Sequence, residues 1–208
     1  AALAAANGCA QGFAAARVTA TRGQGGRGLD VDPTARPTLL VTVAPYAPPT
    51  GPAAVLIATR PRWSGAPTAF KAIAGYLDNI LARDEARRAG ADEALLLNDR
   101  GRLAGAAAAN LFVIDAASVL TTPSTAEGAL AGIVRGVLLE EARAAGLAVR
   151  EGAVDVETLG AGAFFLSNGL IGLRPAQLLG EAPKDIPGIY HTLEARYRLR
   201  LIEEAGGA

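Results

Sequence analysis

Half of the 208 residues are hydrophobic, 19% are charged, and acids and bases balance at 20 each, which describes a globular chain with a sizeable core and excludes disordered, collagen-like and disulfide-scaffold classes. A net charge of zero leaves no cluster of Lys and Arg for nucleic acid or an anionic membrane surface, and no apolar run reaches membrane-spanning length. Cys9 is the single cysteine and His191 the single histidine, so neither a disulfide nor a metal site is expected, and a reducing cytoplasm is the simplest setting.

In chain order, Ala1 to Ala15 reads as an amphipathic helix already under way, which predicts that an N-terminal portion of the natural protein precedes it. Arg17 to Arg22 alternates as a strand and ends in the glycine-dense turn Gly23 to Gly28. Thr38 to Ala44 and Ala54 to Thr59 are β-branched or apolar strands on either side of a proline-rich connection, Pro45 to Pro52. From Ala72 the period becomes helical, with Ile73, Tyr76, Leu77, Ile80 and Leu81 on one face and an end near Gly90.

Glu93 to Asn98, Leu103 to Ile114 and Val119 to Thr122 read as antiparallel strands joined by tight turns, the first at Asp99-Arg100-Gly101. A second helix, Val134 to Ala145, is closed by Gly146. Strands at Ala148 to Glu151, Ala163 to Ser167 and Leu178 to Leu179, a turn at Asn168-Gly169, and a terminal helix from Tyr190 to Glu204 complete an α+β chain without internal repeats.

Amine chemistry has few candidates, because Lys71 and Lys184 are the only lysines beside eighteen arginines. Lys71 stands at the mouth of a helix, where desolvation and the helix dipole lower an ammonium pKa; Lys184, in a proline-flanked loop, reads as solvated. Gly132-Ile133-Val134 opens the second helix, whose backbone N–H groups suit a phosphate, while Arg22 and Arg27 in the glycine-rich turn suit a carboxylate. Ser167-Asn168-Gly169 adds a hydroxyl, an amide and close backbone approach at a strand end. Covalent anchor, phosphate cup and substrate clamp are the parts of a pyridoxal phosphate enzyme.

The string from Lys71 through Tyr76 to Ala86 resembles the lysine helix of the class IV aminotransferases, the fold-type IV pyridoxal phosphate enzymes. Gly90 to Asn98, Ala108 to Phe112, Leu130 to Arg135 and Phe165 to Pro175 are similar to that family's later motifs, in order. The resemblance implies an α+β fold with a barrel-like sheet and flanking helices: residues 1–16 would end a small N-terminal domain that is largely absent, and residues 17–208 would form the large cofactor-binding domain. It implies pyridoxal 5'-phosphate as cofactor and a homodimer acting on a small molecule.

By that resemblance Lys71 is the catalytic residue, anchoring the cofactor covalently and shuttling protons. Tyr76 would bond the cofactor's phenolic oxygen and Leu130 would pack on its ring. Gly132, Ile133 and Val134, with Asn168 and Gly169, would hold the phosphate, and Arg22 and Arg27 the substrate. Gly105 stands where the family usually carries a glutamate that keeps the pyridine nitrogen protonated. Residues Thr21 to Gly28, Ala108 to Phe112 and Ser167 to Leu170 look most like the aminodeoxychorismate lyase branch, which makes p-aminobenzoate and pyruvate for folate synthesis. The alternatives are an aminotransferase of D-amino or branched-chain amino acids and a relative that has lost catalysis.

Overall fold

The computed structural model describes residues 2–9, 11–28, 30, 32–62, 76–182 and 184–204. The chain divides into two compact units, residues 1–49 and 50–208.

In the first unit, helix α1 (Ala2–Ala6) precedes strands β1 (Ala14–Thr21) and β2 (Thr38–Pro45), which pair antiparallel from Ala14 opposite Pro45 to Thr21 opposite Thr38. The helix expected over residues 1–15 is therefore much shorter. Gly8 N–H bonds the Ala5 carbonyl at 3.1 Å and Cys9 N–H the Ala4 carbonyl at 2.8 Å, the crossed pair of a Schellman stop. Residues 14 and 15 instead begin β1, whose partner β2 lies in the same unit.

The second unit is built on eight strands: β3 (Ala53–Ile57), β4 (Glu93–Leu97), β5 (Leu103–Ala106), β6 (Asn110–Ile114), β7 (Leu120–Pro123), β8 (Val149–Gly152), β9 (Ala163–Asn168) and β10 (Gly172–Leu178). They form one mixed sheet in the order β5-β4-β3-β10-β9-β6-β7-β8, parallel at β4-β3, β3-β10 and β7-β8. The sheet curls until β5, at one edge, approaches β6. The helices of this unit are α2 (Leu77–Arg88), α3 (Ile133–Ala144), α4 (Glu157–Ala161) and α5 (Gly188–Glu204).

Strand periodicity explains the burial. Leu111, Val113, Phe164 and Leu166 face a cluster with Val55, Leu95, Leu103 and Leu159. Their neighbours Phe112, Ile114 and Phe165 face the other side, where Leu138 and Leu139 of α3 and Tyr190, Leu193 and Tyr197 of α5 cover them. Phe112 and Phe165 stack with centroids 5.0 Å apart, and Tyr190 meets Phe165 edge-on at 5.3 Å. With both faces covered, β6 and β9 read as unbroken apolar runs.

Helix α2 corrects the sequence expectation. Leu77 and Ile80 are 62% and 57% exposed, whereas Asn79, Ala82 and Ala86 are buried. Ala82 and Ala86 pack against Ala58, Ala94, Leu96 and Ala107, so small side chains bring α2 close to the sheet while its larger residues face outward. Ile73 lies outside the described residues. Lys184 is a second correction. Its Nζ donates to the carbonyls of Leu159 and Gly160 at 2.7 and 2.8 Å, capping α4 rather than standing in solvent. His191 is exposed, with its ring edge-on to Tyr190.

Candidate active site

A cavity of about 620 Å³ opens in the second unit, lined by the start of α2, the β5-β6 connection, the approach to α3 and the end of β9. The approach to α3 is held by one side chain. Asn110 Nδ2 donates to the Leu130 carbonyl at 2.8 Å, and the same carbonyl accepts the Gly132 N–H at 2.8 Å. A β-carbon on Gly132 would collide with Asn110 Oδ1, so a larger residue in this turn would have to displace that side chain. Among the described residues no side chain caps the helix that follows, and the first N–H groups of α3, which have no intrahelical acceptor, lie at the cavity wall beside Ile133 and Val134.

Two more asparagines secure the alanine-rich opposite wall. Asn79 Nδ2 donates to the Ala107 carbonyl at 2.7 Å, and Asn168 Nδ2 to the Ala108 carbonyl at 2.9 Å. Asn168 Oδ1 also accepts the N–H groups of Leu170 and Ile171, at 2.8 and 2.9 Å, which shapes the turn into β10. These amides fix a wall whose own side chains are methyl groups and carry no polarity.

Of the site residues expected from sequence, Tyr76, Leu130, Gly132, Ile133, Val134, Asn168 and Gly169 all line this cavity. Gly105 lines it too, at a φ of 138°. Lys71 lies outside the described residues. Arg22 and Arg27 are exposed in the first unit, after β1. Burial pushes the Tyr76 phenol above its ordinary pKa, and the buried Glu93 carboxylate adds to that rise.

Three lining residues went unnoticed in the sequence. Asn110 lay inside a quoted motif, and Asn79 stands three residues after Tyr76, the spacing that brings two side chains to one helix face. Arg62, buried on the cavity wall, carried no signal among eighteen arginines. Among the described residues lining the cavity, none bears a carboxylate.

Comparison with known proteins agrees with this architecture. A Methanocaldococcus jannaschii protein named as a branched-chain-amino-acid aminotransferase is 33% identical over 139 residues, 65% of this chain and 48% of that one. The Escherichia coli branched-chain-amino-acid aminotransferase is 39% identical over 93 residues, 45% of this chain and 30% of that one. The chain thus spans about half the length, or less, of these curated relatives.

Among solved structures, a Legionella pneumophila protein described as a 4-amino-4-deoxychorismate lyase superposes with a TM-score of 0.80 at 25% identity, covering 91% of this chain and 69% of that one. The Thermoproteus uzoniensis branched-chain aminotransferase gives a TM-score of 0.83 at 25% identity, over 93% and 67%. Residues 1–179 match the sequence profile of amino-transferase class IV, and the chain belongs to that pyridoxal phosphate-dependent family.

Proposed function

We propose that this chain uses pyridoxal 5'-phosphate to convert 4-amino-4-deoxychorismate to p-aminobenzoate and pyruvate. The cavity suits the cofactor at its phosphate end: among the described residues the start of α3 has no side-chain cap and no lining residue bears a carboxylate, and both features favour an anion. Gly132, Ile133 and Val134, with the Asn168-Gly169 turn, would hold the phosphate. Leu130 would cover the ring and the Tyr76 hydroxyl would bond the phenolic oxygen. Lys71 Nζ would anchor the cofactor and carry the proton removed from the substrate. When bound, the cofactor supplies an electron sink for bond cleavage next to the substrate nitrogen.

The observation that carries the lyase reading is Gly105. By the family resemblance it would leave the pyridine nitrogen without its usual carboxylate, and its φ of 138° is backbone that a glutamate would adopt only with strain. A weakened electron sink is best tolerated where formation of an aromatic ring drives the reaction, as in release of p-aminobenzoate. Arg22 and Arg27 would bind substrate carboxylates in the same reading.

A second reading, a branched-chain aminotransferase, is supported by the curated relatives, which bear that name. The experiment is to assay pyruvate and p-aminobenzoate release from 4-amino-4-deoxychorismate with added cofactor and no 2-oxo acid, for the wild type and Lys71→Ala. Release lost in the variant supports the lyase. Turnover of branched-chain amino acids only when a 2-oxo acid is supplied supports the second reading.

A cytoplasmic homodimer belongs to the same proposal. The exposed Leu77, Ile80 and Ile133 are apolar surface that a partner subunit would cover, and sedimentation of the protein tests it.

A further inference from the structure

The connection between β5 and β6 is a part of the cavity wall that none of the roles above employs. From Ala104 to Ala109 the lining carries no side chain larger than a methyl group. Its backbone is tied to three other elements. Ala107 N–H donates to the Ala94 carbonyl of β4 at 2.8 Å, and the Ala107 carbonyl accepts Asn79 Nδ2 of α2 at 2.7 Å. The Ala108 carbonyl accepts Asn168 Nδ2 of β9 at 2.9 Å, and the turn closes on itself through Ala106 N–H and the Ala109 carbonyl, also at 2.9 Å.

Packing and exposure divide this connection. Ala107 is buried in the cluster of Ala58, Ala82, Ala86, Ala94 and Leu96. Ala108 is exposed and Ala109 half-buried, and both line the cavity, so their methyl groups are the ones a ligand can meet. A wall held by side-chain packing alone can retreat before a larger group, whereas one bonded to α2, β4 and β9 loses those bonds if it moves. The volume of the side chains at 108 and 109 therefore sets the free width of the cavity directly. These side chains offer no donor or acceptor, so they recognise what they meet by shape and apolar contact, and Leu130 adds an apolar surface to the same cavity. The two candidate substrates differ in this respect: one carries its reacting amine on a carbocycle, the other on a branched alkyl chain.

We propose that Ala108 and Ala109 set the size limit of the substrate, and that a wall cut back to methyl groups makes room for a carbocyclic body. This rests on the cofactor reading above and deepens its lyase form, since it assigns the ring of the substrate to a named surface. A larger side chain at either position excludes the ring, while a narrower alkyl chain still enters.

The test uses the cofactor-loaded protein, with p-aminobenzoate as the ring-bearing ligand and 4-methylpentanoate as the alkyl one. Wild type should bind p-aminobenzoate. In Ala108→Val and Ala109→Val that affinity should fall about five- to hundredfold, the range of overpacking, while affinity for 4-methylpentanoate and for the cofactor stays within about twofold. Ala109→Ser, close to alanine in size, should keep p-aminobenzoate binding within about threefold. Thermal melting checks the folding of each variant. To add bulk without asking the chain to fold around it, Ala108→Cys is treated with methyl methanethiosulfonate after folding, and the treated wild type accounts for Cys9. Unchanged p-aminobenzoate binding in the folded, enlarged variants, a parallel loss of 4-methylpentanoate or of the cofactor, or a loaded wild type that does not bind p-aminobenzoate overturns the proposal. Failure of the wild type to take up the cofactor overturns the cofactor reading instead, and is scored before any ligand is added.

Discussion

Asn110 Oδ1 occupies the space that a β-carbon on residue 132 would need, so the side chain that holds the turn before α3 also opposes a side chain within it. Gly132→Ala should displace either Asn110 or the helix start. Overpacking of this kind costs about 1–3 kcal/mol, which read as cofactor affinity is roughly a five- to hundredfold loss. The double variant with Asn110→Ala should recover part of it, since the clash is gone but the bond to the Leu130 carbonyl is not restored. A pyridoxal phosphate titration of the three variants measures this, and wild-type affinity in Gly132→Ala would remove the helix start from the phosphate site.

Glu151 fastens both ends of the same helix. Its Oε2 meets Arg135 Nη2 at 2.8 Å and its Oε1 meets Arg143 Nη2 at 2.6 Å. Arg135 also donates to the Pro123 carbonyl at 3.0 Å and is 5% exposed. Glu151→Gln would strand a buried guanidinium at a cost of about 2 kcal/mol, less than for a fully buried pair because the Glu151 side chain is 34% exposed. Because the helix start is displaced, affinity for pyridoxal phosphate should fall more than affinity for pyridoxal, which lacks the phosphate. Equal losses for the two would assign Glu151 to stability alone.

The acid limb of stability follows from the same residue. Hydrogen bonding from Arg143, with that from Arg135, holds the Glu151 carboxyl below its ordinary pKa. A depressed carboxyl stabilises the fold above its unfolded pKa and loses that contribution as pH falls through the folded value, so the loss is expected below about pH 4. Melting curves of the wild type and Glu151→Gln should converge there.

Glu93 should behave oppositely. Burial raises its pKa, so its charge is a cost that grows as pH rises above the ordinary carboxylate value and is complete once the folded value is passed. A glutamine keeps an acceptor for the Ala94 N–H, and the lost ion pair involves an Arg83 side chain that is 51% exposed. Glu93→Gln should therefore melt at or above the wild-type temperature at neutral pH. A loss of more than about 1 kcal/mol would show that the pair with Arg83 outweighs the burial.

The two lysines should separate cleanly. Lys71→Ala should abolish the visible absorption of bound cofactor together with turnover. Lys184→Ala removes the cap on α4 and should lower stability by about 1–2 kcal/mol while leaving that absorption in place. Loss of the absorption in both variants would contradict the assignment of Lys71 as anchor.

Much of the strand pattern is local chemistry, and it is legible as such. β6 and β9 are long apolar runs ended by turn formers, and Gly132-Ile133-Val134 opens α3 as its helix signal predicts. Burial of α2 was misread because hydrophobic periodicity assumes that the largest apolar side chains face the sheet. Here the close approach of the backbones selects alanines, and Asn79 enters the buried face because it has a carbonyl to satisfy.

Residue types along the chain determined the family motifs, the availability of a lysine and a helix start fit for phosphate, since each depends on a short stretch of chain. The tertiary structure decided the rest. Pairing of Asn110 with Ser167 across β6 and β9, and the curl that brings β5 near β6, gather residues more than a hundred positions apart around one cavity. Arg62 becomes distinctive only there, because its burial on the cavity wall belongs to the fold, while in the sequence it is one arginine among many.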